Sequence, residues 1–267
     1  DDPEVKETAG CATISKNITI KGIYPTSRPV INGRFQLDDG ASLSLSQVVL
    51  DGTGTSGDQT FNYKTDGVTY ASLDVQDCEI KNYTKGILYL NVTATISNVT
   101  FNNCLIHDIE CDGGDFLDSR KGLIGTLNIT NSTIYNSATG RDFIRIDDAS
   151  GSFPGAAGPI ITVDHCTIDG VANSSSRRLL YVRFPGNTIT WTNNMVSNMP
   201  ECGRGFSDNS ATDVPNFSNN NYYNTKNLVS EGGEEKARFF DESGYTDDPQ
   251  YKDAANGDFT IQNEDVS

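Results

Sequence analysis

The chain has 267 residues, 36% of them apolar, and its 36 acidic and 20 basic side chains give a formal net charge of −16. This composition excludes a disordered acidic tail, and no apolar run is long enough for a transmembrane helix. The excess of acid excludes a nucleic-acid partner, and it would repel acidic polysaccharide except at a basic patch or a bound cation.

A strand-like pattern recurs along most of the chain after an opening segment, residues 1–31, which we expect to cap or open the fold. Each copy alternates apolar and polar residues, then has a small or polar residue and a last apolar position before a turn. The copies are 42–52, 72–82, 98–108, 126–136, 160–170, 188–198 and 215–224. Their last apolar positions, 26–34 residues apart, are Leu50, Ile80, Ile106, Ile134, Ile168, Val196 and Tyr222.

Strands that repeat at this spacing are typical of a β-solenoid, in which each turn of the chain pairs with the turns on either side. The sequence therefore predicts one all-β domain, a right-handed parallel β-helix with about eight or nine rungs over residues 32–224. Residues 225–267 would cover the far end, because an open end exposes unpaired strand edges. The small position places Cys78, Cys104 and Cys166 in one inward column, where we expect buried, reduced thiols.

A second set of strands precedes the repeat from its third copy onward, at 86–91, 116–120, 143–147 and 179–183. Alternation directs Leu88, Leu117, Ile144 and Leu180 inward, and the outward positions then form three columns. The first column is Ile87, Phe116, Phe143 and Leu179, the second is Tyr89, Asp118, Arg145 and Tyr181, and the third is Asn91, Arg120, Asp147 and Arg183.

The second and third columns bring arginine, aspartate and tyrosine side chains together, since neighbouring strands lie about 4.8 Å apart. Residues 111–190 carry a net charge of −1, against −15 for the other 187 residues, so this surface repels an anion least. Tyr89 and Tyr181 would stack on sugar rings, Asp118 would accept sugar hydroxyls, and Arg120 would grip a carboxylate or sulfate.

Three interpretations of these columns remain open. The first is a carbohydrate-binding face that engages polysaccharide or oligosaccharide. The second is a polysaccharide lyase that cleaves a uronate-containing glycan by β-elimination, with Arg145 or Arg183 as the base and with Asp147 and Asp148 holding calcium. The third is a structural surface solenoid without a ligand, whose arginines and aspartates only neutralise one another.

Several stretches resemble known β-helix proteins. TISKNITIKGIYPTSRPVING (13–33) looks like the start of proteins of the pectate lyase-like superfamily. RRLLYVRFPGNTITWTNNMVSN (177–198) and DPQYKDAANGDFTIQNED (248–265) resemble uncharacterised β-helix domains of secreted or surface proteins in Bacteroidetes glycan-utilisation systems. The resemblance implies a right-handed parallel β-helix in a carbohydrate-related setting, either secreted, periplasmic or on the outer cell surface. It supplies no reaction.

The nearest catalytic relatives implied by this resemblance are the chondroitinase B and alginate lyase families. These enzymes use a calcium-bridged uronate with a lysine base and an arginine acid. Here the corresponding strands offer aspartate and arginine, and Lys121 is the only lysine nearby. Pectate lyases that use arginine as the base are the relatives that point to Arg145 or Arg183.

Overall fold

A computed structural model describes residues 10–24, 26–55, 57–233 and 236–266, and their regular structure is almost entirely β-strand. No helix in these ranges is long and apolar enough to cross a membrane. The first eleven strands are β1 (Gly10–Ile14), β2 (Ile18–Lys21), β3 (Val30–Leu37), β4 (Leu43–Ser46), β5 (Val49–Asp51), β6 (Phe61–Tyr63), β7 (Thr69–Gln76), β8 (Glu79–Lys81), β9 (Leu88–Leu90), β10 (Thr95–Asn102) and β11 (Leu105–Ile109).

The chain continues through eleven further strands and two short 3₁₀ turns, at Ser150–Ser152 and Ala254–Asn256. The strands are β12 (Leu117–Ser119), β13 (Leu123–Thr130), β14 (Thr133–Ser137), β15 (Ile144–Ile146), β16 (Ile160–Asp164), β17 (Thr167–Asp169), β18 (Leu180–Val182), β19 (Thr188–Thr192), β20 (Met195–Met199), β21 (Asn216–Ser218) and β22 (Asn221–Thr225).

The strands form three parallel faces wound from one coil of chain. The first face stacks β1, β3, β6, β9, β12, β15 and β18, the second stacks β2, β4, β7, β10, β13, β16, β19 and β21, and the third stacks β3, β5, β8, β11, β14, β17, β20 and β22. The long strand β3 bends through both the first and the third face and joins them into one sheet. The predicted all-β parallel solenoid is confirmed, and its right-handed sense stays a prediction.

The repeat identified in the sequence matches the register of the third face. Leu50 lies opposite Ile80, Ile80 opposite Ile106, and Ile106 opposite Ile134. The series continues through Ile168, Val196 and Tyr222 without a slip. All seven side chains are buried, so one column of apolar residues runs along the inside of the coil.

The coil makes about seven turns, fewer than the eight or nine rungs expected from the length of the chain. The first face contains seven strands and the second contains eight. Loops take up part of the difference, since residues 147–159 and 200–215 contain no strand. No strand follows Thr225 among the described residues, so residues 226–233 and 236–266 add no further turn.

From the connection between β4 and β5 onward, each corner between the second and third faces is formed by one residue with left-handed backbone. These residues, with φ between 51° and 57°, are Gln47, Asp77, Asn103, Asn131, His165, Asn193 and Asn219. Asparagine and aspartate tolerate this conformation better than most residues do. Their abundance in the sequence therefore reflects a backbone requirement that recurs once in every turn.

The small residues that follow these corners form a buried column. Its members Cys78, Cys104 and Cys166 are free thiols, as predicted, and burial raises the pKa of Cys104 and of Cys166 to about 12. Further along, the backbone N–H of Cys166 donates to Oδ1 of Asn194 at 3.0 Å, and the N–H of Asn194 donates to Oδ1 of Asn220 at 2.9 Å. The asparagine side chains thus satisfy backbone groups that the corner leaves unpaired.

The two ends of the coil are built differently. The opening segment already contains β1 and β2, which pair in parallel with β3 and β4, and residues 1–9 lie outside the described ranges. At the other end, Tyr245 pairs with Asn221 beside β22. The buried carboxylate of Asp241 accepts hydrogen bonds from the side chains of Asn220 and Tyr222, each at 2.9 Å. The segment after β22 therefore lies against the last turn.

Replacing Ile134 with alanine is expected to lower the free energy of unfolding by about 2–5 kcal/mol, because the fully buried side chain leaves a cavity in the inward column. Ile160→Ala is the matched control, since Ile160 is 52% exposed on the second face and its loss should cost far less. Chemical denaturation of both variants measures the difference. Equal losses would contradict the assignment of the inward column.

Candidate functional site

The strands that carry the predicted site lie next to one another on the first face. In this stack Asp118 lies opposite Tyr89 on one side and Arg145 on the other, and Arg145 lies opposite Tyr181. The predicted order of the second column is therefore confirmed. The third column follows the same register, because the backbone N–H of Asp147 donates to the carbonyl of Ser119 and that of Arg183 to the carbonyl of Ile146.

The first outward column was predicted wrongly. Its members Ile87, Phe116, Phe143 and Leu179 are completely buried. Strands β9, β12, β15 and β18 are only three residues long, and these side chains come just before them, at the bend where alternation along a strand does not apply. The rings of Phe116 and Phe143 lie 4.9 Å apart and fill this corner of the core.

Asp118 points outward, as predicted, but it is not available as a surface residue. It is 1% exposed, because Arg120 folds back over it and donates a hydrogen bond from Nε to its carboxylate. The predicted role of Asp118 as a direct acceptor for sugar hydroxyls therefore does not fit its burial. Its oxygen instead holds the guanidinium group of Arg120 in place.

Sequence reasoning missed three charged residues that come immediately before the buried corner, Asp115, Asp142 and Arg178. The carboxylate of Asp115 receives Arg120 Nη2 at 3.2 Å and Arg145 Nη1 at 3.4 Å. The carboxylate of Asp142 receives Arg178 Nη1 at 3.3 Å. Asp115 thus links arginines of two successive turns, and Asp142 pairs with Arg178 of the following turn, so the ion pairs continue along the coil.

The network extends to two more missed residues after β18. Arg178 Nε and Nη2 donate to the two oxygens of Asp208 at 2.8 and 3.0 Å, and Arg204 also pairs with Asp208. At the outer side, Arg145 binds Asp147 through Nε at 2.8 Å and Nη2 at 3.1 Å, and Arg183 Nη2 lies 2.5 Å from the same carboxylate.

We call this cluster the arginine–aspartate face. It comprises Arg120, Arg145, Arg178, Arg183 and Arg204, the aspartates Asp115, Asp118, Asp142, Asp147 and Asp208, and the tyrosines Tyr89 and Tyr181.

Tyr181 lies among the guanidinium groups of the face. The guanidinium carbon of Arg178 is 3.8 Å from the ring centroid, that of Arg183 is 4.8 Å away, and that of Arg145 is 5.5 Å away. Cation–π attraction therefore holds three arginines around one ring. The ring is occupied by protein groups, so the predicted stacking of a sugar on Tyr181 does not fit this arrangement.

The face is layered by charge. Asp115, Asp118 and Asp142 are each 1% exposed, whereas the side chains of Arg120 and Arg183 are 32% and 29% exposed. The five arginines and five aspartates balance in number, but three of the carboxylates are buried, whereas four of the arginines, all except the buried Arg178, are 20–32% exposed. The partly exposed layer therefore holds four arginines against two aspartates, Asp147 and Asp208, on a molecule that is otherwise strongly acidic.

The two kinds of aspartate have opposite pKa shifts. Burial raises the pKa of Asp118 and of Asp142 above the ordinary value, although neighbouring arginines oppose this. Burial also acts on Asp147 and Asp208, but there the hydrogen bonds and charges of two arginines outweigh it and lower the pKa. The ion pairs likewise raise the pKa of Arg120, Arg145 and Arg178 despite their partial burial.

Calcium does not suit the predicted pair Asp147 and Asp148. The carboxylate of Asp147 already binds two guanidinium groups, and Asp148 accepts hydrogen bonds from the backbone and the hydroxyl of Ser150 at 3.0 and 2.6 Å. In the described part of the chain no three histidine, cysteine or acidic side chains converge as a metal site would require. The metal role of these residues stays a prediction that their pairing disfavours.

A signal for part of the missed layer was present in the sequence. Asp115-Phe116 and Asp142-Phe143 are the same dipeptide at the same place in successive turns, just before β12 and β15. An aspartate repeated at a buried corner indicates a structural carboxylate that needs a cationic partner. No comparable repeat precedes Asp208, which lies in an irregular loop.

The chain matches two family models, and neither names an activity. Residues 5–137 match the family described as Domain of unknown function (DUF4957), and residues 161–267 match the one described as Domain of unknown function (DUF5123). A search of curated proteins found no match. The first match ends with β14 and the second begins in β16, so both segments are parts of one continuous solenoid.

Asp147→Asn is expected to lower the free energy of unfolding by about 2 kcal/mol at neutral pH, the scale of a hydrogen bond to a charged group. Because folding lowers the pKa of Asp147, its contribution is complete above the ordinary aspartate pKa and is lost as pH falls through the folded value. The difference between variant and wild type should therefore shrink in acid.

Denaturant unfolding of wild type and variant at neutral and strongly acidic pH measures this change. Asp39→Asn is the control, since Asp39 is exposed and asparagine tolerates its left-handed backbone. A deficit for Asp147→Asn that stays constant down to strongly acidic pH would contradict the proposed pairing.

Proposed function

We propose that this protein is an extracytoplasmic carbohydrate-binding solenoid that engages acidic polysaccharide through the arginine–aspartate face. The observation that carries the proposal is the layering of charge, in which buried aspartates support partly exposed arginines. An anion that approaches the coil meets guanidinium groups first. The rest of the molecule repels it, so electrostatics directs an acidic ligand to this face.

The arrangement of the arginines suits carboxylate or sulfate groups on a polymer. Guanidinium groups bind such anions through paired N–H donors, and Arg120, Arg183 and Arg204 keep part of their side chains at the surface. Their carboxylate partners, and for Arg183 also the Tyr181 ring, fix their orientation before a ligand arrives. Such preorganisation reduces the entropy lost on binding.

Tyr89 is the tyrosine that best fits contact with a sugar ring. It is half-buried beside Asp118, and burial raises the pKa of its hydroxyl. Unlike Tyr181, it has no guanidinium group stacked on its ring within the described residues. We assign it an edge or face contact with the sugar next to the charged group.

The extracytoplasmic setting rests on the resemblance of residues 177–198 and 248–265 to Bacteroidetes glycan-utilisation proteins and on the right-handed β-helix that it implies. The cysteines are compatible with an oxidising environment. Five of the six are buried as free thiols, and burial raises the pKa of all five above the ordinary value. Such thiols react slowly.

Binding fits the geometry better than β-elimination does. A catalytic base must be unprotonated before it can accept a proton. The ion pairs of Arg145 raise the pKa of its guanidinium group even further above the ordinary value, so this group stays protonated. Arg183 pairs with the same carboxylate. Catalysis of β-elimination by these two arginines is therefore the second candidate function, after glycan binding. Formation of an unsaturated uronate, followed by its ultraviolet absorbance with and without calcium, would establish elimination.

Arg120→Ala and Arg183→Ala are expected to reduce the retardation of the protein in native gels that contain polygalacturonate, alginate or chondroitin sulfate. Each change removes a partly exposed guanidinium group from the outer layer of the face. The apparent affinity of the wild type should also fall as salt is raised, because exposed charges are screened.

Lys252→Ala provides the control, since Lys252 is an exposed cation that pairs with Asp258 in the C-terminal segment. Circular dichroism of every variant verifies the fold. If the wild type migrates freely in all three polymers, or if both arginine variants are retarded as strongly as the wild type, the face is a self-neutralising structural ladder.

A further inference from the structure

A groove runs across the outer corner of the third face, away from the arginine–aspartate face. It consists of two adjoining hollows of about 500 and 510 Å³, which share Asp108, Asn136 and Thr139. Hollows of this size fall in the range of small-molecule sites. The first hollow extends toward Asn82 and the second toward Asp169, so the groove crosses several turns of the coil.

The floor of the groove is made by a repeated backbone feature. Asn82 comes just after β8, and Asp108 and Asn136 lie one residue before the ends of β11 and β14 in the next two turns. All three have left-handed backbone, with φ of 61°, 55° and 43°. Asn82 donates its amide N–H to Asp51 at 3.0 Å, and Asn136 donates its amide N–H to Asp108. The other oxygen of Asp108 lies 2.7 Å from Nδ1 of His107, so this carboxylate is held between two side chains. Polar side chains thereby recur along the groove at the spacing of the turns.

The far wall of the groove belongs to the C-terminal segment. The 3₁₀ turn Ala254–Asn256 lines the second hollow. It is held there by Phe259, whose ring lies 5.3 Å from that of Tyr135, and Tyr135 stacks in turn on His107 at 5.0 Å. The segment that lies against the last turn therefore also folds back along the third face and completes a concave surface.

The groove lining is polar. It contains hydrogen-bond acceptors and no arginine or lysine side chain among the described residues. Its carboxylates are Asp108, Glu110 and Asp169. Within the described ranges, neither the Glu110 carboxylate nor the Thr139 hydroxyl takes part in a hydrogen bond or ion pair. The groove thus repels anions and offers donors and acceptors to a ligand rich in hydroxyl groups.

We propose that this groove binds a neutral oligosaccharide. Carboxylate and amide oxygens accept hydrogen bonds from sugar hydroxyls, and amide and hydroxyl groups donate to sugar oxygens. Apolar ligands do not suit the lining, and acidic glycans are repelled by its carboxylates. The site is independent of the arginine–aspartate face and has the opposite charge preference, so the two can be tested separately.

The test is native affinity electrophoresis in gels that contain xylan, mannan or a mixed-linkage β-glucan. We expect at least one of these neutral polymers to retard the wild type. Gly140→Trp should weaken that interaction at least tenfold, because Gly140 lines the first hollow and an added Cβ there meets no atom within 4 Å, which leaves room for a bulky side chain to obstruct the hollow.

Gly151→Trp is the matched control, since Gly151 also has open space around it but lies in the loop after β15. It should be retarded like the wild type, and so should Arg120→Ala. Asn136→Gly is a second groove variant, which removes the amide but suits the left-handed backbone, and it should weaken retardation several-fold.

Two results would overturn the proposal. One is free migration of the wild type in all three neutral polymers. The other is wild-type retardation of both Gly140→Trp and Asn136→Gly. Loss of retardation by acidic polymers alone would count against the arginine–aspartate face and leave the groove in place.

Discussion

Parallel pairing of successive turns in one register is the constraint on which the rest of this structure depends. Inward side chains of one turn lie opposite inward side chains of the turns on either side, and a slip of one residue would exchange the inward and outward sides of a strand. At seven corners between the second and third faces, one left-handed residue occupies the same place in successive turns, in step with this register. Extra residues therefore collect in loops such as 147–159 and 200–215, where they leave the pairing intact.

The same register decides the electrostatics of the first face. Burying a carboxylate is costly unless it is paired and hydrogen-bonded, and here each buried aspartate has an arginine partner in its own turn or a neighbouring turn. The pairing places the flexible ends of the arginines in fixed positions at the surface. The same cluster can therefore neutralise its own charges and still attract anions. Its buried aspartates pair with the arginines from beneath, while the outer ends of the arginines stay accessible.

Much of the fold could be predicted from the sequence, since apolar residues at Leu50, Ile80 and Ile106 recur at the spacing of one turn. The order of Tyr89, Asp118, Arg145 and Tyr181 followed from the same regularity. The burial of Phe116 and Asp118 could not be predicted, because it depends on where a three-residue strand bends and on how Arg120 folds over its neighbour. The contribution of Asp208 and of the wall at Ala254–Asn256 depends on irregular segments that carry no periodic signal.

The boundary between the two matched segments has a consequence for the arginine–aspartate face. Asp115, Asp118 and Arg120 come from the part of the chain that matches the first model, and Arg178, Tyr181 and Arg183 from the part that matches the second. Arg145 and Asp147 lie in the stretch between them and connect both groups. A protein that contained only one of the two matched segments would thus contain only part of the ion-pair network, and some of its charged side chains would lack partners. The network is complete only because the stretch between the two segments supplies Arg145 and Asp147.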